Sequence, residues 1–282
     1  MTIQQSPFTQ AYSVQFADRF RQKYQSYRRL ANVCNEMHGA VGDAYKFKYM
    51  GQSVMQPYGA NNSNIPTSNP TVTAPILTYD DFVLKLTISD FDQLNFNASA
   101  LEIFAKNHAK ALGRREDQNI LNAGTDPSIV TNFIPDNGEY LTTEKLIEAR
   151  VQLGINSADT EELYFVTTWQ SFRYLLGQTE YTSAVFNDGK PLVAPSSNPE
   201  KFGGFKIIVM PDMLEGGLPI DVDGIRTSFC FARDAMSIVY RQDPMVQMIP
   251  VPQEKRTETV SSASFGALVT DALGAVRVLS KE

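Results

Sequence analysis

The hydrophobic positions change their period several times along the chain. Behind Pro7, residues Phe8, Tyr12, Phe16, Phe20 and Tyr24 recur every four positions, which predicts a helix with one aromatic stripe. Such a stripe needs a partner surface, either the body of the same chain or another copy of it. Past Gly39 and Gly42 the period drops to two. Tyr45, Phe47 and Tyr49 alternate with Lys46 and Lys48, which predicts a strand ending near Val54. Residues 56–75 are crowded with Asn, Ser, Thr, Pro and Gly and read as a long exposed tip. From Ile76 to Ile88 the alternation returns, with Phe82, Leu84, Leu86 and Ile88 set against Asp81, Val83, Lys85 and Thr87. The two runs together predict a hairpin with arms of roughly ten residues, each about 33 Å long at the usual strand rise. A two-stranded hairpin is marginal alone in water, so it either rests on another surface or protrudes as a free loop.

The strongest helix follows, with Asn95, Asn97 or Ser99 as cap and Gly124 as terminator. Leu101, Phe104, His108, Leu112 and Ile120 share much of one face, while Lys106, Lys110, Arg114, Arg115, Glu116 and Asp117 supply charge elsewhere. At 1.5 Å per residue, about 25 helical residues span roughly 38 Å, the width of a domain. Thereafter the pattern mixes types. A helix is predicted over Thr142 to Leu153 with Gly154 as its stop, a strand over Leu163 to Val166, and a helix over Trp169 to Leu176 ended by Gly177. The stretch from Gln178 to Gly204 is turn-rich. Short strands are predicted at Phe205 to Met210, Ser228 to Ala232 and Met236 to Tyr240, then one or two long ones from Thr257 to Leu279. The order fits an α+β fold without internal repeats.

Composition narrows the chemistry. A formal net charge of −6 and 20% charged residues argue against a protein that grips nucleic acid through a basic surface. The first 29 residues differ: Arg19, Arg21, Lys23, Arg28 and Arg29 face only Asp18, so this end carries +4 and the remainder −10. It is either a solvated helix face or an arm suited to acidic surroundings. The two cysteines, Cys34 and Cys230, have neither metal-ligand nor redox spacing and read as small buried hydrophobes in a reducing compartment. The chain has no membrane-length apolar run and no signal-peptide pattern at Met1 to Pro7, which places its synthesis in the cytoplasm.

Catalytic patterns are sparse. Only His38 and His108 offer imidazoles, and His108 falls in the apolar stripe of the long helix, the place of a hydrogen-bonded core histidine. Neither a nucleophile elbow nor a phosphate loop occurs in the sequence. The acidic pairs Asp80 with Asp81, Asp90 with Asp92 and Glu161 with Glu162 read as turn residues before they read as a cation site. No catalytic, cofactor-binding or metal-binding residue is assigned. An enzyme of unknown type is the remote alternative.

The order of segments is the more telling signal: a basic aromatic arm, a long hairpin, the acidic turn Ile88-Ser89-Asp90-Phe91-Asp92, and a helix closing on Ala111-Leu112-Gly113-Arg114-Arg115-Glu116-Asp117-Gln118-Asn119-Ile120. With Gln22 to Leu30, Gly42 to Tyr49, Phe265-Gly266-Ala267 and Gly274 to Val278, it resembles the major capsid proteins of tailed bacteriophages, which share the Hong Kong 97 capsid fold. The resemblance runs through essentially the whole chain. It implies an N-terminal arm at 1–42, an extended loop at 43–88, a peripheral domain at 89–154 with a spine helix near 97–123, an axial α+β domain at 155–255, and returning peripheral strands at 256–282.

The function implied is a structural subunit of an icosahedral head enclosing double-stranded DNA, with an encapsulin-like compartment of the same fold as the alternative. Partners implied are copies of the chain in hexamers and pentamers, a separate scaffolding protein, a portal protein, a decoration or cement protein, and packaged DNA touched without base readout. Assembly is expected in the host bacterial cytoplasm, ending in the virion. Some relatives join subunits through a lysine of the loop, for which Lys46 or Lys48 would serve, but no matching asparagine is identified. Expected contact residues are Phe16, Phe20, Tyr24, Arg28 and Arg29 in the arm, with Tyr45, Lys46, Phe47, Lys48, Tyr49 and Met50 in the loop.

Overall fold

In the computed structural model the described residues are 28–51, 53–55, 67–89, 99–158, 162–178, 202–218 and 220–282, with the backbone alone for 99–104. Phe16, Phe20, Tyr24, Asp90, Asp92, Asn95, Asn97 and Glu161 lie outside them.

Two sheets share the spine helix. Helix α1 (Ser99–Thr125) is the long helix the periodicity predicts. The first sheet has strand order β1-β11-β12-β6, built from β1 (Asn35–Met37), β6 (Asp80–Ser89), β11 (Met236–Val251) and β12 (Arg256–Val269). The second has order β7-β13-β10-β8-β9, from β7 (Phe133–Ile134), β8 (Leu163–Thr168), β9 (Phe205–Met210), β10 (Ile225–Ala232) and β13 (Ala275–Lys281). Strand alternation gives β10 two apolar faces. Phe229 and Phe231 point towards α1 and join Leu112, Ile120, Leu121, Ile238, Tyr240 and Phe265 in one core. Cys230 points the other way, into a second core where α2 (Thr143–Ile155) and α3 (Trp169–Leu176) contribute Leu146, Leu153, Phe172 and Leu175. Both cysteine thiols are buried and free, and burial pushes the Cys230 thiol up to about 12.

The chain departs from the sequence reading at five places. Gly124 does not end α1, which continues to Thr125; a Cβ there would come within 2.5 Å of the Phe229 ring, so this glycine permits close helix-to-sheet packing. Gly154 likewise lies inside α2, which starts directly after the Thr142 cap and ends at Ile155. The second run of the expected hairpin leaves it. Asp80–Ser89 pairs along its whole length with β12, so the loop strands are short: β2 (Ala44–Lys46) on β5 (Ile76–Thr78), and β3 (Tyr49–Met50) on β4 (Val72–Thr73). Finally, β13 pairs with β10 in the five-stranded sheet instead of returning to the other one, and β11 runs eleven residues past Tyr240. Pro244 and Pro250 conceal that extension in the sequence. They are tolerated because β1 covers only Ser237 to Val239, leaving one edge of β11 free of hydrogen-bond demands.

Three buried ionisable groups find partners within the subunit. His108 is fully buried on α1, its Nδ1 2.8 Å from Ser261 Oγ and its Nε2 3.1 Å from Thr259 Oγ1, and burial lowers its pKa. Lys145 Nζ donates to the carbonyls of Asp136, Glu139 and Leu279 at 2.7, 3.2 and 3.2 Å. Burial alone would raise the Glu282 pKa, but donors from Arg226, Ser171 and Thr168 hold it below the usual carboxylate range.

Gly124→Ala is expected to lower the stability of the isolated subunit by about 1–3 kcal/mol through overpacking against Phe229. Urea unfolding of the two proteins measures it, and an unchanged midpoint would contradict the close packing.

Candidate assembly interface

Two parts of the described subunit extend beyond its cores, the loop after Gly42 and the far half of the β11–β12 ribbon, and the described chain itself begins at Arg28. The root of the loop and the start of the described chain, the arm root, are each built locally by the sequence.

The arm root rests on α1. Asp117 Oδ1 accepts from the backbone N–H of Arg29 and Leu30 at 3.1 and 2.9 Å, and Oδ2 accepts from Arg29 at 3.0 Å. Arg28 reaches across to three partners: Glu36 at 2.7 Å, Glu116 at 2.8 Å and the Tyr240 hydroxyl at 3.1 Å. Arg29 Nη1 donates to the Val209 carbonyl. The segment can lie this close because Gly113 has no side chain; a Cβ there would be 3.0 Å from Arg28 Cβ. Among the described residues both arginines bind groups of their own subunit, and these contacts fix where the arm leaves the body. Burial pushes the Asp117 carboxyl up to about 6, only partly offset by its backbone donors and the two arginines. Glu116 is raised for the same reason, against the pull of Arg28 and the Tyr240 hydroxyl.

The loop root rests on the opposite face of β11. Phe47 and Leu77 pack against Val239, with Tyr45, Tyr49 and Tyr79 around them. Gly266, the cross-strand neighbour of Val239, makes room: a Cβ there would meet the Thr78 carbonyl at 2.4 Å. Phe47 was expected to offer apolar area to a neighbour, yet it is 5% exposed and anchors its own loop. Lys46 and Lys48 are exposed, Tyr45 and Tyr49 half-buried. Further out, the cross-strand pair Met50 and Val72 is 73% and 60% exposed, with Val54 and Met55 exposed beyond it.

The ribbon was not anticipated. From Arg241 to Pro250 every residue of β11 is exposed, among them Met245, Val246, Met248 and Ile249. Among the described residues this part of the strand keeps apolar side chains on both faces and one edge uncovered.

Glu116, Asp117 and Tyr240 were also missed, the first two read as solvated charge. Helical phase carried the signal, since Leu112, Glu116 and Ile120 follow at four-residue spacing. Among the described residues no group of three or more His, Cys, Asp and Glu is arranged to hold a metal ion, and no helix is long and apolar enough to cross a membrane. His38, one of the two imidazoles, is half-exposed and stacks on Tyr240 with ring centroids 4.7 Å apart.

Comparison with known proteins bears on what such a surface serves. A sequence-family model described as phage capsid protein matches residues 8–282. A search of curated protein sequences finds no match. Among solved structures, the capsid of the cyanophage P-SCSP1u is similar at a TM-score of 0.75 and 15% identity, covering 95% of this chain and 93% of that one. A Mycobacterium phage Che8 structure follows at 0.69 and 14%, covering 93% and 95%. The capsid of a native GTA particle is similar at 0.69 and 14%, covering 95% of each chain.

The Asp117 site has a pH signature. A carboxyl raised to about 6 from 3.8 holds its proton more tightly in the folded state than in the unfolded one. Its contribution to stability therefore falls as pH rises between those values and is level above them. Asp117→Asn, which keeps an acceptor oxygen, is expected to remove that part of the slope in melting temperature measured from pH 4 to 7. Parallel curves would exclude the burial of an ionising carboxyl.

Proposed function

Because the chain belongs to the phage capsid protein family and is a major capsid protein of a phage head, we propose that its loop and arm are the segments by which each copy holds its neighbours. The observation that carries this reading is the split within the loop. Its root is buried on Val239 in its own subunit, while Met50, Val54, Met55 and Val72 are 60–99% exposed. At roughly 25 cal/mol for each Å² removed from water, covering these four residues with a neighbour supplies several kcal/mol per contact. Repetition around a closed shell multiplies that effect, since releasing one subunit requires several ruptures at once.

Within this reading Tyr45, Lys46, Lys48, Tyr49 and Met50 face the neighbour, Phe47 anchors the loop, and Arg28 and Arg29 anchor the arm that carries Phe16, Phe20 and Tyr24. The four-stranded sheet with α1 serves as the peripheral domain, and the five-stranded sheet with α2 and α3 as the axial one. The subunit works as a container wall without catalysis. It is assembled in the host cytoplasm with scaffolding and portal proteins, and it touches the packaged DNA without reading its sequence.

The double variant Met50→Asp with Val72→Asp is expected to leave a folded, soluble subunit that forms no shells. Circular dichroism reads the first property, and sedimentation with negative-stain electron microscopy reads the second. Shells of ordinary size and yield from this variant would refute the role of the loop.

A further inference from the structure

The arm root and the loop root lie on adjacent residues of one strand. Tyr240 points to the α1 side, where its hydroxyl accepts from Arg28 and its ring packs on Phe265 at 5.7 Å. Val239 points to the other side, under Phe47 and Leu77. The chain between the two roots wraps this same strand. After Arg28 it runs through β1, whose Glu36 and Met37 lie beside Ile238 and Val239, then stacks His38 on Tyr240 and donates the Ala40 N–H to the Tyr240 carbonyl at 3.2 Å. Positive φ at Gly39 (74°) and Gly42 (102°) turns it over the edge of the sheet to the loop face. Only 18 residues separate Arg28 from Phe47.

From this back-to-back seating we infer that the arm root and the loop root are energetically coupled through Val239 and Tyr240, so that holding one segment in place tightens the other. A shift of Tyr240 towards or away from Arg28 moves the backbone that carries Val239, and the intervening wrap is too short and too closely bonded to absorb it. On the reading that both segments contact neighbouring copies, capture of an arm by one neighbour prepares the loop for another. The coupling itself is a property of the single subunit and needs no shell. Groups around the junction are Arg28, Arg29, Glu36, His38, Glu116, Asp117, Arg233, Tyr240 and Asp243.

Amide hydrogen exchange on the unassembled subunit tests it. Arg28→Met keeps the stem and removes the guanidinium. It is expected to speed exchange at Phe47 and Gly51, which donate to Pro75 and Thr71 across the loop root, by about fivefold or more. Phe47→Leu is expected to speed exchange at Arg29 and Leu30 by a similar factor, since coupling between two sites is reciprocal. Amides of β10 and β13, in the other sheet, are expected to keep wild-type rates, which separates local release from general loosening. Should Arg28→Met unfold the subunit, Tyr240→Phe, which removes only the hydroxyl, takes its place with the same expectation. Effects confined to the mutated side, or an equal acceleration in the second sheet, would overturn the coupling. Loss of shells without cross-effects would leave the loop's assembly role standing and sink the coupling alone.

Discussion

A β-strand sends successive side chains to opposite faces, and at Val239 and Tyr240 that constraint gives a single strand two unlike tasks. One face closes the core under the spine helix through Ile238, Tyr240 and Phe265. The other carries the base of an outward-reaching loop through Val239 and the bare backbone of Gly266. A shift of register by one residue would turn every side chain to the other face, putting Tyr240 beneath the loop and Arg241 among Arg28, Glu36 and Glu116. The ladder between β11 and β12, in register from Met236 to Tyr240, forbids that shift. The arm root and the loop root inherit their positions from it.

Charge fixes the arm root where apolar packing would leave it loose. Glu116 and Asp117 are 3% and 1% exposed, an arrangement that costs desolvation and is partly offset by Arg28 and by backbone donors aimed at one carboxylate. Apolar residues of similar volume would fill the space, but would accept many positions of the incoming chain. Two N–H groups directed at Asp117 accept one. The same logic holds at the far end of the molecule, where the buried pair of Arg226 with Glu282, both side chains 3% exposed, ties β10, α3 and the final residue together.

A shell subunit must be stable alone yet incomplete. Here the two apolar cores close around α1, α2, α3 and the five-stranded sheet, while the loop end and the β11–β12 ribbon keep Met50, Val72, Met245 and Ile249 outside. Short strands in the loop root, two and three residues long, contribute few backbone hydrogen bonds, so the loop depends on what lies under and beyond it.

Sequence periodicity alone determined the spine helix, the two further helices, most strands of the five-stranded sheet and the buried, paired role of His108, because each of these signals is local and repeats within a few residues. What it did not decide was which strand pairs with which. Asp80–Ser89 alternates like a hairpin arm, but its partner is β12, about 170 residues away, and only the closed sheet reveals that. Phe47 alternates with lysines in the manner of a contact residue, yet Val239 lies beneath it. Arg28 reads as a free cation until Glu36, Glu116 and Tyr240 converge on it from three elements. Alternation says that a side chain points to one face; the tertiary structure alone says whether that face meets the same molecule or is left for the next.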